Sequence, residues 1–234
     1  AVGAQFSSLG SDKLIIEAKG TGFGPPGTGV VNALRDEDLR EIGSVNGVAD
    51  VAARLIRQAR IEFKDEILYS YAADIPQYDG RELVLEALNV KAQSGRLLEK
   101  NDRFKAVIGN DYSLKSDFTK VVNVGDSILI NGKSVEVVGI LTRKGNPQFD
   151  KTIILNHEAF REVFGVKDEK DMIVAKLASG ANADQVADSI ERALRRSRSV
   201  EEGEEDFSIQ SSQNLLESVD VILGIVQTFL VGIA

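Results

Sequence analysis

Cysteine is absent from this 234-residue chain, and histidine occurs once, as His157. Without cysteine there is no disulfide, no thiolate metal site and no cysteine nucleophile. The absence leaves the compartment open, because many proteins outside the cytoplasm carry no disulfide. A single imidazole excludes sites that need two, which removes most catalytic zinc centres and the two-histidine facial triad. Basic residues are outnumbered, with 28 Lys and Arg against 36 Asp and Glu and a formal net charge of −8. No lysine–arginine stripe is available to neutralise a row of phosphates, so nucleic acid is excluded as a partner. The start, Ala-Val-Gly, has no basic stretch followed by an apolar one, so no signal peptide is read there.

What is present suits a folded chain: 43% hydrophobic and 27% charged residues, enough for a core in one or two domains. The C-terminal end is unusual. From Val221 to Ala234 no residue carries a charge. That run is shorter than the ~20 residues a transmembrane helix needs, and long enough for the first half of one. The expectation is a segment of a longer protein, with residues 213–234 beginning a transmembrane helix. The rival is a soluble core helix, since Leu215, Val219, Ile222, Val226, Phe229 and Ile233 follow a helical spacing.

Between the ends, strands and helices can be placed from pattern. Lys13–Lys19 reads as a strand and Thr21–Asn32 as a glycine-rich loop. Arg35–Ile42 reads as a short helix with an acidic first turn and Gly43 at its end. Val48–Ala73 is strand-like, turning near Lys64-Asp65-Glu66. A short helix fits Arg81–Leu88, a buried strand Lys105–Gly109 and a helix Asp111–Phe118. Ser127–Ile130 and Lys133–Leu141 form a hairpin, because Asn131-Gly132 between apolar runs is a strong two-residue turn signal. A strand at Lys151–Leu155 and a helix at His157–Phe164 follow. The last third gives a strand at Asp171–Leu177, a helix at Asn182–Arg196 capped by Asn182 and Gln185, and a strand at Asp206–Ser211. Two strand–helix–strand units bracket a β-rich middle, an α+β layer with an insertion.

Apparent chemistry dissolves on inspection. Gly24-Pro-Pro-Gly-Thr-Gly29 begins like a phosphate-binding loop, but Val30 and Val31 stand where Lys and Ser/Thr must reach the phosphates and magnesium. Gly22-Phe-Gly24-Pro-Pro-Gly27 has the dinucleotide spacing, yet its prolines remove backbone donors the pyrophosphate needs. His157 precedes Glu158 without a second histidine, and reads as a surface residue at a helix start. The acids at Glu201, Glu202, Glu204, Glu205 and Asp206 lack the alternation of a calcium loop and read as a solvated run. No catalytic, cofactor-binding or metal-binding residue is nominated, and no cofactor is expected.

The order of these features resembles the extracytoplasmic, periplasmic core domain of MacB-type (FtsX-like) ABC transporter permeases. The likeness is carried by Asp36, Asp38, Leu39 and Ile42 with Gly47-Val48; by Gly95-Arg96 with Asp102; by Val107-Ile108-Gly109; by the hairpin from Val124-Gly125-Asp126 to Val138-Gly139-Ile140; and by Asp206-Phe207 before the apolar end. It departs at Ala53-Arg54 and at Leu155-Asn156, where many members have proline.

The resemblance implies an α+β fold with a porter-like α/β lobe formed by both chain ends, residues 12–74 and 166–212, and an inserted mainly-β, Sabre-like lobe at 75–165. It makes residues 1–11 the end of a first juxtamembrane segment and 213–234 the start of a second membrane helix. It implies a second permease copy, a cytoplasmic ABC ATPase on a separate subunit or domain, a membrane, and room for a periplasmic adaptor, with no enzyme activity in this part. ATP-driven motion below the membrane would be passed to this domain to export or release a substrate outside. Arg96, between an irregular stretch and a buried strand, reads as structural, with a substrate contact as its alternative. The alternative to the permease reading is a membrane-anchored extracytoplasmic binding or sensor module.

Overall fold

The computed structural model describes residues 12–20, 30–114 and 118–211. The expected juxtamembrane segment 1–11, residues 21–29 of the expected loop Thr21–Asn32 and the expected membrane helix from Gln213 to Ala234 lie outside these residues.

The first β-layer draws on both ends of the chain. Strands β1 (Lys13–Ala18), β2 (Val48–Arg54), β10 (Met172–Leu177) and β11 (Phe207–Ser211) make a four-stranded sheet in the order β11-β1-β10-β2. All its pairings are antiparallel. Period-two alternation sorts its two faces. Leu14, Ile16, Ile173, Ala175 and Leu177 form one core with Ile42 of helix α1 (Asp36–Ser44) and with Val186, Ile190 and Leu194 of a later helix, Ala183–Arg198. Lys13, Ile15, Glu17, Met172, Val174, Ala52 and Arg54 fall on the opposite face by the same alternation.

Helix α1 starts as its acids predict: Asp38 accepts the Arg35 backbone N–H at 2.8 Å. It ends one residue beyond the expected glycine, at Ser44, with Gly43 packed on the Val51 side chain.

The middle of the chain closes on itself. Strands β3 (Ile56–Phe63), β4 (Glu66–Ile75), β6 (Lys105–Ile108), β7 (Ser127–Ile130), β8 (Lys133–Leu141) and β9 (Thr152–Asn156) run in the order β8-β6-β9-β4-β3-β7, and β7 pairs again with β8. That last pairing turns the sheet into a small barrel, which removes the free edges an open sheet would carry. A further strand, β5 (Ala92–Gly95), lies outside the ring against β8. The interior is apolar: Ile61, Phe63, Ala106, Ile108, Tyr112, Phe118, Ile128, Ile130, Val135, Val137, Ile153 and Phe160.

The Asn131-Gly132 turn takes the left-handed backbone at both residues, as a two-residue hairpin requires. Asn131 also ties the turn to β3: its N–H donates to Arg60 O at 2.9 Å and its Oδ1 accepts from Arg60 N at 3.0 Å.

Three expectations are corrected. Residues 56–75 pair in the barrel, so the chain changes sheet at Leu55 and returns at Asp171, not at 74/75 and 165/166. The reason is local: β3 continues directly from β2 after one residue, and its partner β4 must follow it. Next, the helix expected at Asp111–Phe118 is a single 3₁₀ turn, Asn110–Ser113, among the described residues. Finally, β5 was not expected, because Ala-Gln-Ser-Gly carries no apolar alternation.

Candidate functional site at the sheet–barrel junction

The feature that stands out chemically is the passage between sheet and barrel, where four charged side chains are gathered. Leu55 alone separates β2 from β3, and Asp171 immediately precedes β10. The two crossings lie side by side: Asp171 N donates to Arg54 O at 3.0 Å, and Asp74 N donates to Leu55 O at 3.0 Å. Two buried carboxylates hold the first crossing. Asp74 Oδ1 accepts Leu55 N at 2.7 Å, and Asp171 Oδ2 accepts Ile56 N at 2.7 Å. Each also has an arginine: Arg54 Nε lies 3.4 Å from Asp74 Oδ1, and Arg57 donates to Asp171 Oδ2.

Burial costs these charges. It pushes the Asp171 carboxyl above the usual carboxylate range, a shift opposed by Arg57 and the Ile56 N–H and reinforced by Asp74. Burial also lowers the Arg54 guanidinium, an effect that the Asp74 charge partly offsets. Two arginines and two aspartates balance, so a buried charge is left uncompensated if any one is removed.

His157 belongs to this cluster. It opens helix α3 (His157–Phe164), following helix α2 (Arg81–Leu88) in chain order. Its Nδ1 sits 2.7 Å from Asp74 Oδ2. The expectation of a plain surface residue is therefore corrected: the ring is three-quarters buried at 26% exposure and braces a fully buried acid.

Helix α2 fills the space between the two layers. Leu83 and Val84 join Ala52 and Val174 of the sheet with Ile75, Val107, Val138 and Ile154 of the barrel in one apolar cluster. Ala87 packs with Ile15 and Met172. Glu86 bridges to Lys13 at 2.9 Å and Lys176 at 2.8 Å on the sheet. At its start, Gly80 has φ +72°, and a Cβ there would lie 2.6 Å from Ala52 Cβ. Arg81, buried, donates to Pro76 O and Asn156 Oδ1 and to Leu98 O. Asn156 in turn donates to Glu99 O and Asp102 O.

Other residues singled out in the sequence have structural employment. Arg96 forks onto Asp102 at 2.6 and 2.9 Å, and that bond with the Glu99 N–H holds the Asp102 carboxyl far below the usual range against its burial. The acidic run is matched by helix α4 (Ala183–Arg198): Arg195 pairs with Glu202 and Glu205, and Arg198 with Asp206 and Asp38. Among the described residues no group of acids and histidine could hold a metal ion.

The junction residues Arg57, Asp74 and Asp171 escaped the sequence reading, and Arg54 was noted only as a departure from the family pattern. Their one signal was charge inside apolar strands, as in Ala72-Ala73-Asp74-Ile75.

Residues 1–193 match the family of MacB-like periplasmic core domains. The chain is 31% identical over 232 residues to an uncharacterized ABC transporter permease of Methanocaldococcus jannaschii, covering 98% of this chain and 55% of that relative. It thus spans about half the length of the curated relative it matches. The fold is similar to the crystal structure of the periplasmic region of MacB from Actinobacillus actinomycetemcomitans, with TM-score 0.67 and 15% identity over 91% of this chain and 94% of that one. It is also similar to the extracellular domain of the noncanonic ABC-type transporter YknZ from Gram-positive bacteria, with TM-score 0.63 and 16% identity over 85% of this chain and 100% of that one. Among the described residues no helix is long and apolar enough to cross a membrane. The chain belongs to the family of MacB-like periplasmic core domains.

Proposed function

We propose that this chain is the extracytoplasmic part of a membrane permease that converts ATP-driven motion below the membrane into export or release of a substrate on the outer side. The observation that carries the reading is where the described chain comes together. Leu14 of β1 pairs with Ser211 of β11, so the segments flanking the domain leave from adjacent strands at one end of the four-stranded sheet. The crossings into the barrel lie at the other end, where Glu17, Met172 and Arg54 share one row. From Leu14 to Glu17 that is about 10 Å along β1 at ~3.3 Å per residue. A displacement entering through both flanking segments would reach the barrel through this sheet.

In this reading the domain works mechanically and holds no catalytic, cofactor or metal site. The sheet is the porter-like lobe and the barrel the inserted one. ATP hydrolysis belongs to a separate cytoplasmic subunit or domain, a second permease copy completes the transporter, and a periplasmic adaptor has surface to bind. Residues 213–234 enter the bilayer.

Topology is the test. In the full-length permease, otherwise free of cysteine, single cysteines at Ser94 and at positions 222–234 are exposed to a membrane-impermeant thiol reagent on intact cells. Labelling at Ser94 and protection at 222–234 support the reading. Labelling at both, or at neither without permeabilisation, contradicts it.

A further inference from the structure

We propose that Asp74 and Asp171 lock the four-stranded sheet to the barrel, so that the two turn as one lever rather than hinging at the crossings. The one-residue connection at Leu55 would ordinarily be a natural hinge, since few backbone dihedrals separate two packed layers there. Here the dihedrals on both sides are fixed from outside the backbone. The N–H groups of the consecutive residues Leu55 and Ile56 are taken by Asp74 from the barrel and by Asp171, just before the strand returning to the sheet. Rotating the crossing breaks both bonds at once. It also pulls Arg54 and Arg57, rooted on either side of Leu55, away from these same carboxylates.

The lock is closed on its outer side by His157, which holds the second oxygen of Asp74. Its inner side is closed by α2, whose apolar face touches both layers and whose Glu86 is tied to two sheet lysines. Gly80 lets the start of that helix rest against β2, where a side chain would collide. Hydrogen bonds, ion pairs and apolar packing therefore oppose the same motion from different directions. The lock itself is a property of this chain; the lever it makes rests on the permease reading.

The absence of cysteine makes the test direct on the chain as it stands. Spin labels at Asp188→Cys on α4 and Ser127→Cys on β7 report the distance between sheet layer and barrel. The lock predicts one narrow distance distribution. It predicts at least a twofold broadening in the double variant Asp74→Asn/Asp171→Asn, and a smaller broadening in His157→Gln. Asp102→Asn, which breaks an ion pair inside the barrel unit, serves as the control and should leave the width unchanged.

A broad or two-peaked distribution in the unaltered chain overturns the proposal. So does an unchanged width in a folded lock variant, or equal broadening in Asp102→Asn. Where the double variant fails to fold by circular dichroism, Asp171→Asn and His157→Gln alone decide by the same criterion. Failure of the topology experiment would remove the permease reading and leave this measurement standing.

Discussion

Asp74 and Asp171, nearly a hundred residues apart in sequence, accept the backbone N–H groups of two consecutive residues, Leu55 and Ile56, each at 2.7 Å. One carboxylate comes from the barrel and the other from the residue just before the strand that returns to the sheet. The place where the chain passes between its two β-units is therefore held by side chains from both.

Truncating Asp74 to alanine should be severe. It strips Arg54 of its carboxylate while the guanidinium stays buried, and leaves the Leu55 N–H without its acceptor. Breaking one partner of a buried pair typically costs about 3–5 kcal/mol. Replacing both, as Arg54→Met/Asp74→Leu, should recover part of that loss, because no buried charge is then stranded. Urea denaturation of Asp74→Leu, Arg54→Met and the double variant measures this; a double variant as unstable as the sum of its singles would contradict it.

Glu17 gives a prediction in pH. Burial alone raises its carboxyl to about 7, so the charged form is disfavoured in the folded state. Its contribution is fully present below the ordinary carboxylate range and is lost as pH rises through about 7. Glu17→Gln should match the parent near pH 4 and exceed its stability by on the order of 2–3 kcal/mol near pH 8. Thermal melts at the two pH values check the sign. A variant less stable at pH 8 would show that Glu17 has a cationic partner.

Asp102 behaves in the opposite sense. Arg96 first, then the Glu99 N–H, hold its carboxyl well below the usual range. Its contribution is present above the ordinary carboxylate value and is lost as pH falls toward the folded-state value. Arg96→Ala should cost about 1 kcal/mol at pH 7, the pair being screened because Arg96 is 38% exposed. The difference from the parent should shrink below pH 4. A loss that did not shrink at all as pH falls below 4 would mean that Arg96 acts through its bond to Leu97 O rather than through the carboxylate.

Close backbone approach makes Gly139 irreplaceable. A Cβ at this position would lie 2.0 Å from Arg96 O, where β5 adds to β8. Gly139→Ala should therefore be destabilising outright, although backbone freedom alone favours alanine by roughly 0.5–1 kcal/mol where φ is not positive. Gly180→Ala, with positive φ but open space around it, should show only the smaller backbone cost. Equal losses in the two variants would rule out the steric account.

Much of the fold was legible because its elements carry local signals. Asn131-Gly132 marks the hairpin, Asn182 caps α4 with Oδ1 on Gln185 N at 3.0 Å, and the acids of α1 sit at its positive end. Apolar alternation located most of the strands. What failed was assignment across distance. Val48–Ala73 reads as two or three strand segments turning near Lys64-Asp65-Glu66, and nothing at Leu55 marks a change of sheet, since neither glycine nor proline stands there. Which strand pairs with which is settled by barrel closure, which no single segment encodes. The junction was illegible for the same reason. Asp74 and Asp171 look like acids at strand ends, and only the fold brings them to adjacent peptides. His157 was legible as a helix start, while its contact with Asp74 depends on β4 and β9 running parallel side by side.

The central claim is that this domain transmits displacement from the membrane. It is tested most directly in the reconstituted full-length permease with its ATPase, carrying one spin label at Ser127→Cys in each of two copies. The account predicts that the distance between the labels changes between the nucleotide-free state and ATP turnover, while in a second sample, with Ser127→Cys and Asp188→Cys labelled together in one copy, the distance within that copy stays fixed. An unchanged distance between copies during active hydrolysis would contradict it.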